Sequence, residues 1–326
     1  MKILKLVALL PAFITLHSVA LTDVQQNAQS KGIILFNQLR IAEPYLQIAA
    51  EAGNREAQYF LAEELRQVSH GMTVRARYWY QEAAKQGDLY AMVQLARQPT
   101  KLCELDSECK KSSTSPPEWK RIAVERATDL SNQGDGEAMY VLYVLSGNIS
   151  WLEKSAGTNY GYSNWLLGNY YQDGNGFFLL PGSREKTVKK LYEASANAGY
   201  AKGMMSYGAI LYKEGDIDSY REWSIKAAHT GYASSVYGLA NDLAHDPDTL
   251  HLPYDIVKAY ALISLLTKMD GGGGIQGLAS IKLKKFRSKM TSVQINEAEN
   301  LAGHWEADHW EADHHPISFY PPKLDY

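Results

Sequence analysis

The sequence predicts an all-α protein: an α/α superhelical solenoid of about seven antiparallel helix pairs with a C-terminal capping helix. Three observations carry that expectation. The first is a phrase that recurs. Four, eight and nine residues after Gly87 stand Ala91, Leu95 and Ala96. The same offsets give Ala57, Leu61 and Ala62 after Gly53, and Ala138, Leu142 and Tyr143 after Gly134. They give Gly203, Tyr207 and Gly208 after Gly199, and Ser235, Leu239 and Ala240 after Gly231. A sixth copy starts at Asn159, with Ser163, Leu167 and Gly168. The second is the anchor itself. Glycine takes a positive φ at a helix C-terminus without steric cost, and asparagine is its usual substitute. The third is the period. Ala76, Tyr80, Ala83 and Ala84 fall at i, i+4, i+7 and i+8, one face of a helix. The small side chains of Ala83, Ala84 and Ala91 let two backbones approach closely, so the helices pack near-antiparallel.

Small pairs precede most anchors: Ala49-Ala50, Ala83-Ala84, Ser155-Ala156, Ser195-Ala196 and Ala227-Ala228. The Gly134 copy is weaker there, with Asp129-Leu130-Ser131. Anchor spacings are 34, 47, 25, 40 and 32 residues. Their mean suits a helix-turn-helix unit, and their scatter marks inserted loops and shortened helices. The pattern resembles the SEL-one-like repeat, a relative of the tetratricopeptide repeat. Leu167-Gly168-Asn169-Tyr170-Tyr171 matches that family's L-G-x-x-Y, and Asp173-Gly174-Asn175-Gly176 its following turn. Ala76-Arg77-Tyr78-Trp79-Tyr80 through Gly87 matches the second helix, with Trp79 at the aromatic position. The resemblance spans Ile41 to Trp305 and implies a right-handed superhelix.

Residues 1–20 read as a secretory signal peptide. Lys2 and Lys5 open it, Leu6 to Leu16 is an apolar run too short to cross a bilayer stably, and Ser18-Val19-Ala20 supplies small residues at a cleavage site. A short anchor or a buried helix is the alternative. No cysteine follows the run, so no acylation site is expected; the chain cleaved after Ala20 is expected in the periplasm. Removing residues 1–20 takes away two lysines and no acid, moving the formal charge from −3 to −5. That disfavours nucleic acid or an anionic membrane as the main partner. Residues 21–40 read as a flexible N-terminal lead, and the helical run to Ala52 as half of an incomplete first repeat.

The array occupies 41–305, with an insertion at 97–118 holding Pro99, Pro116-Pro117 and the chain's two cysteines. In an oxidising compartment Cys103 and Cys109 are expected to form a disulfide pinning that insertion. A redox or metal pair is the alternative, but two ligands make no zinc site. A second insert, Phe177 to Ser183 (FFLLPGS), either packs under the array or forms a partner-binding tip; packing is the expectation. Asp255, Lys258, Ala259 and Leu262 fit the last full repeat, with Leu262 in the tryptophan position. Gly271 to Gly274 lacks the Lys-Ser/Thr and the preceding strand of a phosphate loop. Lys289 to Trp305 resembles the capping helix that closes such arrays. Residues 306–326 are a tail in which His304-Trp305-Glu306-Ala307-Asp308 is repeated as His309-Trp310-Glu311-Ala312-Asp313. His304 with Asp308 and His309 with Asp313 are i, i+4 pairs, but the zincin spacing is missing, and a solvated tandem duplication is the expectation.

No nucleophile motif is present: Gly203 to Gly208 has the wrong spacing for a nucleophile elbow and falls in a repeat helix. The chain is therefore expected to be no enzyme and to need no cofactor or metal. The expected function is capture of one protein partner on the concave face. The positions expected to point outward there are Tyr59, Glu63, Gln94, Tyr140, Trp165, Asn169 and Met205, with Trp165 either an anchor or packed on the preceding helix. The family resemblance implies a periplasmic immunity protein that neutralises a type VI secretion effector such as a phospholipase. A periplasmic regulator or assembly scaffold fits the same features. A repeat-fold hydrolase fits less well, since relatives of that kind carry a disulfide in every repeat.

Overall fold

The computed structural model describes residues 21–37, 40–98, 114–268 and 274–309. Residues 1–20, read above as a signal peptide, the expected Cys103–Cys109 pair, Gly271 to Gly273 and most of the tail lie outside them. Among the described residues there are sixteen helices and no strand. They are α1 (Asp23–Asn37), α2 (Glu43–Glu51), α3 (Arg55–Val68), α4 (Val74–Lys85), α5 (Leu89–Ala96), α6 (Pro116–Ser131), α7 (Gly136–Ser146) and α8 (Ile149–Ala156). After these come α9 (Gly161–Gln172), α10 (Ser183–Asn197), α11 (Ala201–Glu214), α12 (Ile217–His229), α13 (Ala233–Leu243), α14 (Ile256–Leu266), α15 (Ile275–Arg287) and α16 (Ser292–His309).

From α1 to α14 each helix packs against its successor, and α16 returns onto α14. The first two helices and the six pairs from α3/α4 to α13/α14 make a seven-pair α-solenoid closed by two terminal helices. All six anchors have positive φ: Gly53 85°, Gly87 91°, Gly134 89°, Asn159 64°, Gly199 85° and Gly231 77°. At four of them the next residue's N–H bonds the carbonyl five residues back: Asn54 to Ala49, Asp88 to Ala83, Asp135 to Leu130, Tyr200 to Ser195, at 3.1 to 3.2 Å. This ties off carbonyls that a helix end would otherwise leave unpaired. The small residues sit at the helix contacts as expected: Ala83, Ala91, Ala138 and Ala227 are fully buried. The apolar core runs as a string, from Ile33 to Leu167, through Ala196, Met204 and Ala227, to Ala228 and onward to Ala302.

Two expectations are corrected. Residues 23–37 form α1 rather than a flexible lead. The polar start hides an apolar end: Ile33, Leu35 and Phe36 are buried, and the Phe36 ring meets that of Phe60 edge-on at 5.1 Å. Ile34 packs against the C-terminal part of the core. The insert at 177–182 does not pack beneath the array. Arg184, in the first turn of α10, donates hydrogen bonds to backbone carbonyls at the end of α9 and in the turn after it, which holds the insert against its own base. Phe177, Leu179 and Leu180 are left in solvent.

Candidate protein-binding face

The helix that follows each anchor begins with a residue that sets its start. Asn54, Asp88 and Asp135 accept a hydrogen bond from the N–H of Ala57, Ala91 and Ala138, at 2.8, 2.9 and 2.9 Å. These are ordinary N-caps. In the later repeats the same register holds Tyr160, Tyr200 and Tyr232, which make no side-chain cap. Two of these tyrosines instead extend a line of aromatic rings. Tyr59 lies 6.0 Å from Tyr90, whose hydroxyl is 3.2 Å from that of Tyr160. Tyr160 lies 6.3 Å from Tyr140, Tyr140 meets Tyr162 edge-on at 5.0 Å, and Tyr162 meets Tyr200 edge-on at 5.7 Å. Offset and edge-on arrangements of this kind are the favourable ones for aromatic quadrupoles.

The seven expected face residues separate along this line. Tyr59, Glu63, Gln94 and Tyr140 are buried, which corrects their expected outward position. Tyr59 and Tyr140 are members of the aromatic line. Glu63 accepts hydrogen bonds from Tyr80 Oη at 2.7 Å, Gln94 Nε2 at 2.8 Å and Arg66 Nη2 at 2.9 Å. Arg66 Nε reaches back to Tyr80 Oη at 3.2 Å and closes the network. Burial, and then the Glu63 charge, push the Tyr80 phenol well above its ordinary range. Residues 57–65 of α3 and 89–95 of α5 are buried on every side. The N-terminal repeats therefore present no open face on these two helices.

The open face belongs to α9 and α11. Trp165 is half-buried between Tyr162 at 6.0 Å and Tyr200 at 5.7 Å, and its Nε1 donates to Ser206 Oγ at 3.2 Å. The Lys202 ammonium lies 5.1 Å from the Trp165 ring centroid. Met205, next to Ser206, is exposed, as is Tyr212 two turns further along α11. Asn169 is half-buried and accepts from Tyr192 Oη at 2.6 Å, so its amide oxygen is committed to α10. Trp165 of α9 thus meets Ser206 and Lys202 of α11, Met205 stands exposed on the same helix, and Asn169 ties α9 to α10 instead. An indole with a lysine beside it, an exposed thioether and a phenol are contact chemistry suited to a protein surface.

Glu137, in the first turn of α7, was not singled out from the sequence. Burial first, then the nearby Asp135 and Asp88, raise its carboxyl to about 7. Its Oε1 is buried without a hydrogen-bond partner. A glutamate at the third residue of a repeat gives no sequence signal of its burial; Asp135 is its neighbour in the chain, but Asp88 reaches it from the preceding repeat. Among the described residues no helix is long and apolar enough to cross a membrane.

The positive-φ anchors, the small-residue contacts and the stacked helix pairs define an α-solenoid of the kind that the resemblance to Sel1-like repeats implies. No family model and no curated protein matches the chain. Several solved structures are similar to it, two of them as follows. One is a protective antigen present in uropathogenic Escherichia coli strains displaying an SLR fold, at 18% identity and a TM-score of 0.47; the match covers 90% of this chain and 62% of that one. The other is a Sel1 repeat protein from Oxalobacter formigenes, at 18% identity and a TM-score of 0.41, covering 74% of this chain and 100% of that one. The chain thus spans less than two thirds of the length of the first of these.

Proposed function

We propose that the protein is a periplasmic, non-catalytic binding module that captures one protein partner on the α9/α11 face. In the finer form of this reading the partner is a type VI secretion effector such as a phospholipase, and the module neutralises it as an immunity protein. The observation that carries the binding reading is the half-buried Trp165, held between Tyr162 and Tyr200 with Lys202 over its ring and the exposed Met205 on the same α11 helix. Aromatic anchors held by packing lose little side-chain entropy on binding, which makes them effective interface centres. The periplasmic and immunity assignments rest on the signal-like first twenty residues and on the family resemblance.

The test begins with capture of partners from a periplasmic extract by the secreted chain, with the bound protein identified. Trp165→Ala is expected to lower affinity for that protein about thirtyfold or more, the loss typical of a central tryptophan anchor. Co-expression of the captured protein with and without this chain then reads out neutralisation. Growth arrest that the wild-type chain relieves and Trp165→Ala does not supports the immunity reading. A captured protein that harms no cell overturns it and leaves the binding module standing.

A further inference from the structure

The connection between α9 and α10 carries an apolar tip. Phe177, Leu179 and Leu180 are 85%, 83% and 72% exposed. Their exposure does not come from a loose loop. Arg184 donates to the carbonyl oxygens of Tyr171 at 2.8 Å, of Gly176 at 3.2 Å and of Asn175. Its guanidinium lies 4.7 Å from the Phe178 ring centroid, and Phe178 meets Tyr171 edge-on at 5.2 Å. Gly176 and Gly182, both at φ 74°, turn the chain out and back. Phe178 plugs the base, and the three other apolar side chains protrude.

The chain around the tip carries a small excess of basic residues: from 173 to 193, Arg184, Lys186, Lys189 and Lys190 stand against Asp173, Glu185 and Glu193. Lys189 is paired with Glu214 at 2.5 Å. Lys186 and Lys190 are both exposed and lie one turn apart on α10, with no ion-pair partner among the described residues. The three protruding side chains form no groove themselves, since the hollow beside α10 is lined by Gln172, Arg184, Lys186, Val188, Ile210 and Glu214 and not by them, and a folded partner would need a socket shaped to three side chains. A bilayer surface needs no such match. Apolar side chains enter its interfacial layer while nearby amines stay level with the phosphates. Two uncommitted lysines favour anionic headgroups, and this attraction is local because the chain as a whole is acidic.

We propose that the Phe177–Leu180 tip inserts into the interfacial layer of an anionic bilayer, with Lys186 and Lys190 against the headgroups. This contact is separate from the α9/α11 face and stands whether or not that face binds a protein. It is tested by co-sedimentation of the secreted chain with vesicles of phosphatidylethanolamine and phosphatidylglycerol, beside vesicles of phosphatidylcholine. Binding is expected on the anionic vesicles, weaker on phosphatidylcholine, and falling as salt rises. The triple change Phe177→Ser, Leu179→Ser, Leu180→Ser is expected to lower partition about tenfold or more, with the helical circular dichroism unchanged. Lys186→Gln with Lys190→Gln is expected to remove the preference for the anionic vesicles. Leu179→Trp places a reporter at the tip, and its emission is expected to shift to shorter wavelength when vesicles are added. Trp165→Ala is expected to bind vesicles as the wild type does. The proposal is overturned if anionic vesicles do not sediment the chain, if the triple variant sediments equally well, or if Trp165→Ala abolishes binding. It is also overturned if the tip captures a periplasmic protein and no vesicle.

Discussion

Glu63 shows how a repeat core holds a charge. Three donors surround its carboxylate, and one of them, the Arg66 guanidinium, brings the opposite charge. Arg66 keeps a quarter of its side chain in water, but Tyr80 and Gln94 are buried, so Glu63→Ala is expected to destabilise the protein by about 1–3 kcal/mol for each of these two donors left unsatisfied, read by denaturant unfolding. Glu137 presents the opposite case. Its folded carboxyl is raised to about 7 above an ordinary value near 4.5. The folded state therefore holds a proton that the unfolded chain releases, and stability falls as pH rises from the lower value to the upper. Glu137→Gln is expected to flatten the stability profile in that window and to gain on the order of 1–3 kcal/mol above it. Unfolding midpoints measured at pH 4.5 and pH 8 check both the sign and the window. Neither residue's role was legible in the sequence. Glu63 sits at an offset that a helical wheel turns outward, and only the packing of α4 and α5 around α3 makes that side an interior.

At the scale of the element, glycines in helices separate tight pairs from loose ones. A Cβ on Gly203 in α11 would meet Ser195 Oγ at 2.1 Å and the Ser195 backbone carbon at 2.9 Å. Gly203→Ala must push α10 and α11 apart and is expected to cost about 1–3 kcal/mol. Gly238 in α13 has nothing within 4 Å of such an atom and an ordinary helical φ. Gly238→Ala is expected to stabilise the protein by about 0.5–1 kcal/mol through helix propensity alone. Thermal unfolding of the two variants side by side is the check, and shifts of the same sign would contradict the packing of α10 on α11. The N-cap register adds a second distinction. Acid or amide caps start α3, α5 and α7, whereas tyrosines start α9, α11 and α13, giving up a cap bond; at α9 and α11 the ring instead joins the aromatic line.

At the scale of the molecule, the first helix reaches the last ones. Ile34 of α1 packs against the core of α13 to α16, so the two ends of the array share apolar surface. Ile34→Ser is expected to speed amide exchange in 256–302 as well as in α1, read by hydrogen exchange with mass spectrometry. Faster exchange confined to 23–65 would show that the ends are independent. The proposed secretion is a property of the same scale. N-terminal sequencing of the periplasmic protein is expected to begin at Leu21, and a full-length chain kept in the cytoplasm would refute it.

The sequence by itself determined the repeat. Gly53, Gly87, Gly134, Asn159, Gly199 and Gly231 were readable as left-handed helix ends, and all six take positive φ. They were readable because a helix terminus is a local event, decided by one residue's steric freedom and a few neighbouring bonds. The buried alanines were readable for a related reason: the helical period fixes which positions share a face. Only the tertiary structure decided which faces stay open. Tyr59, Gln94 and Tyr140 stand at positions that look outward on a single pair, yet neighbouring helices close over them. The FFLL insert looked like core by composition, but Arg184 from the next helix ties down the turn before it, and Phe177, Leu179 and Leu180 remain in water. Burial depends on everything that arrives from elsewhere in the chain, and no local pattern carries that information.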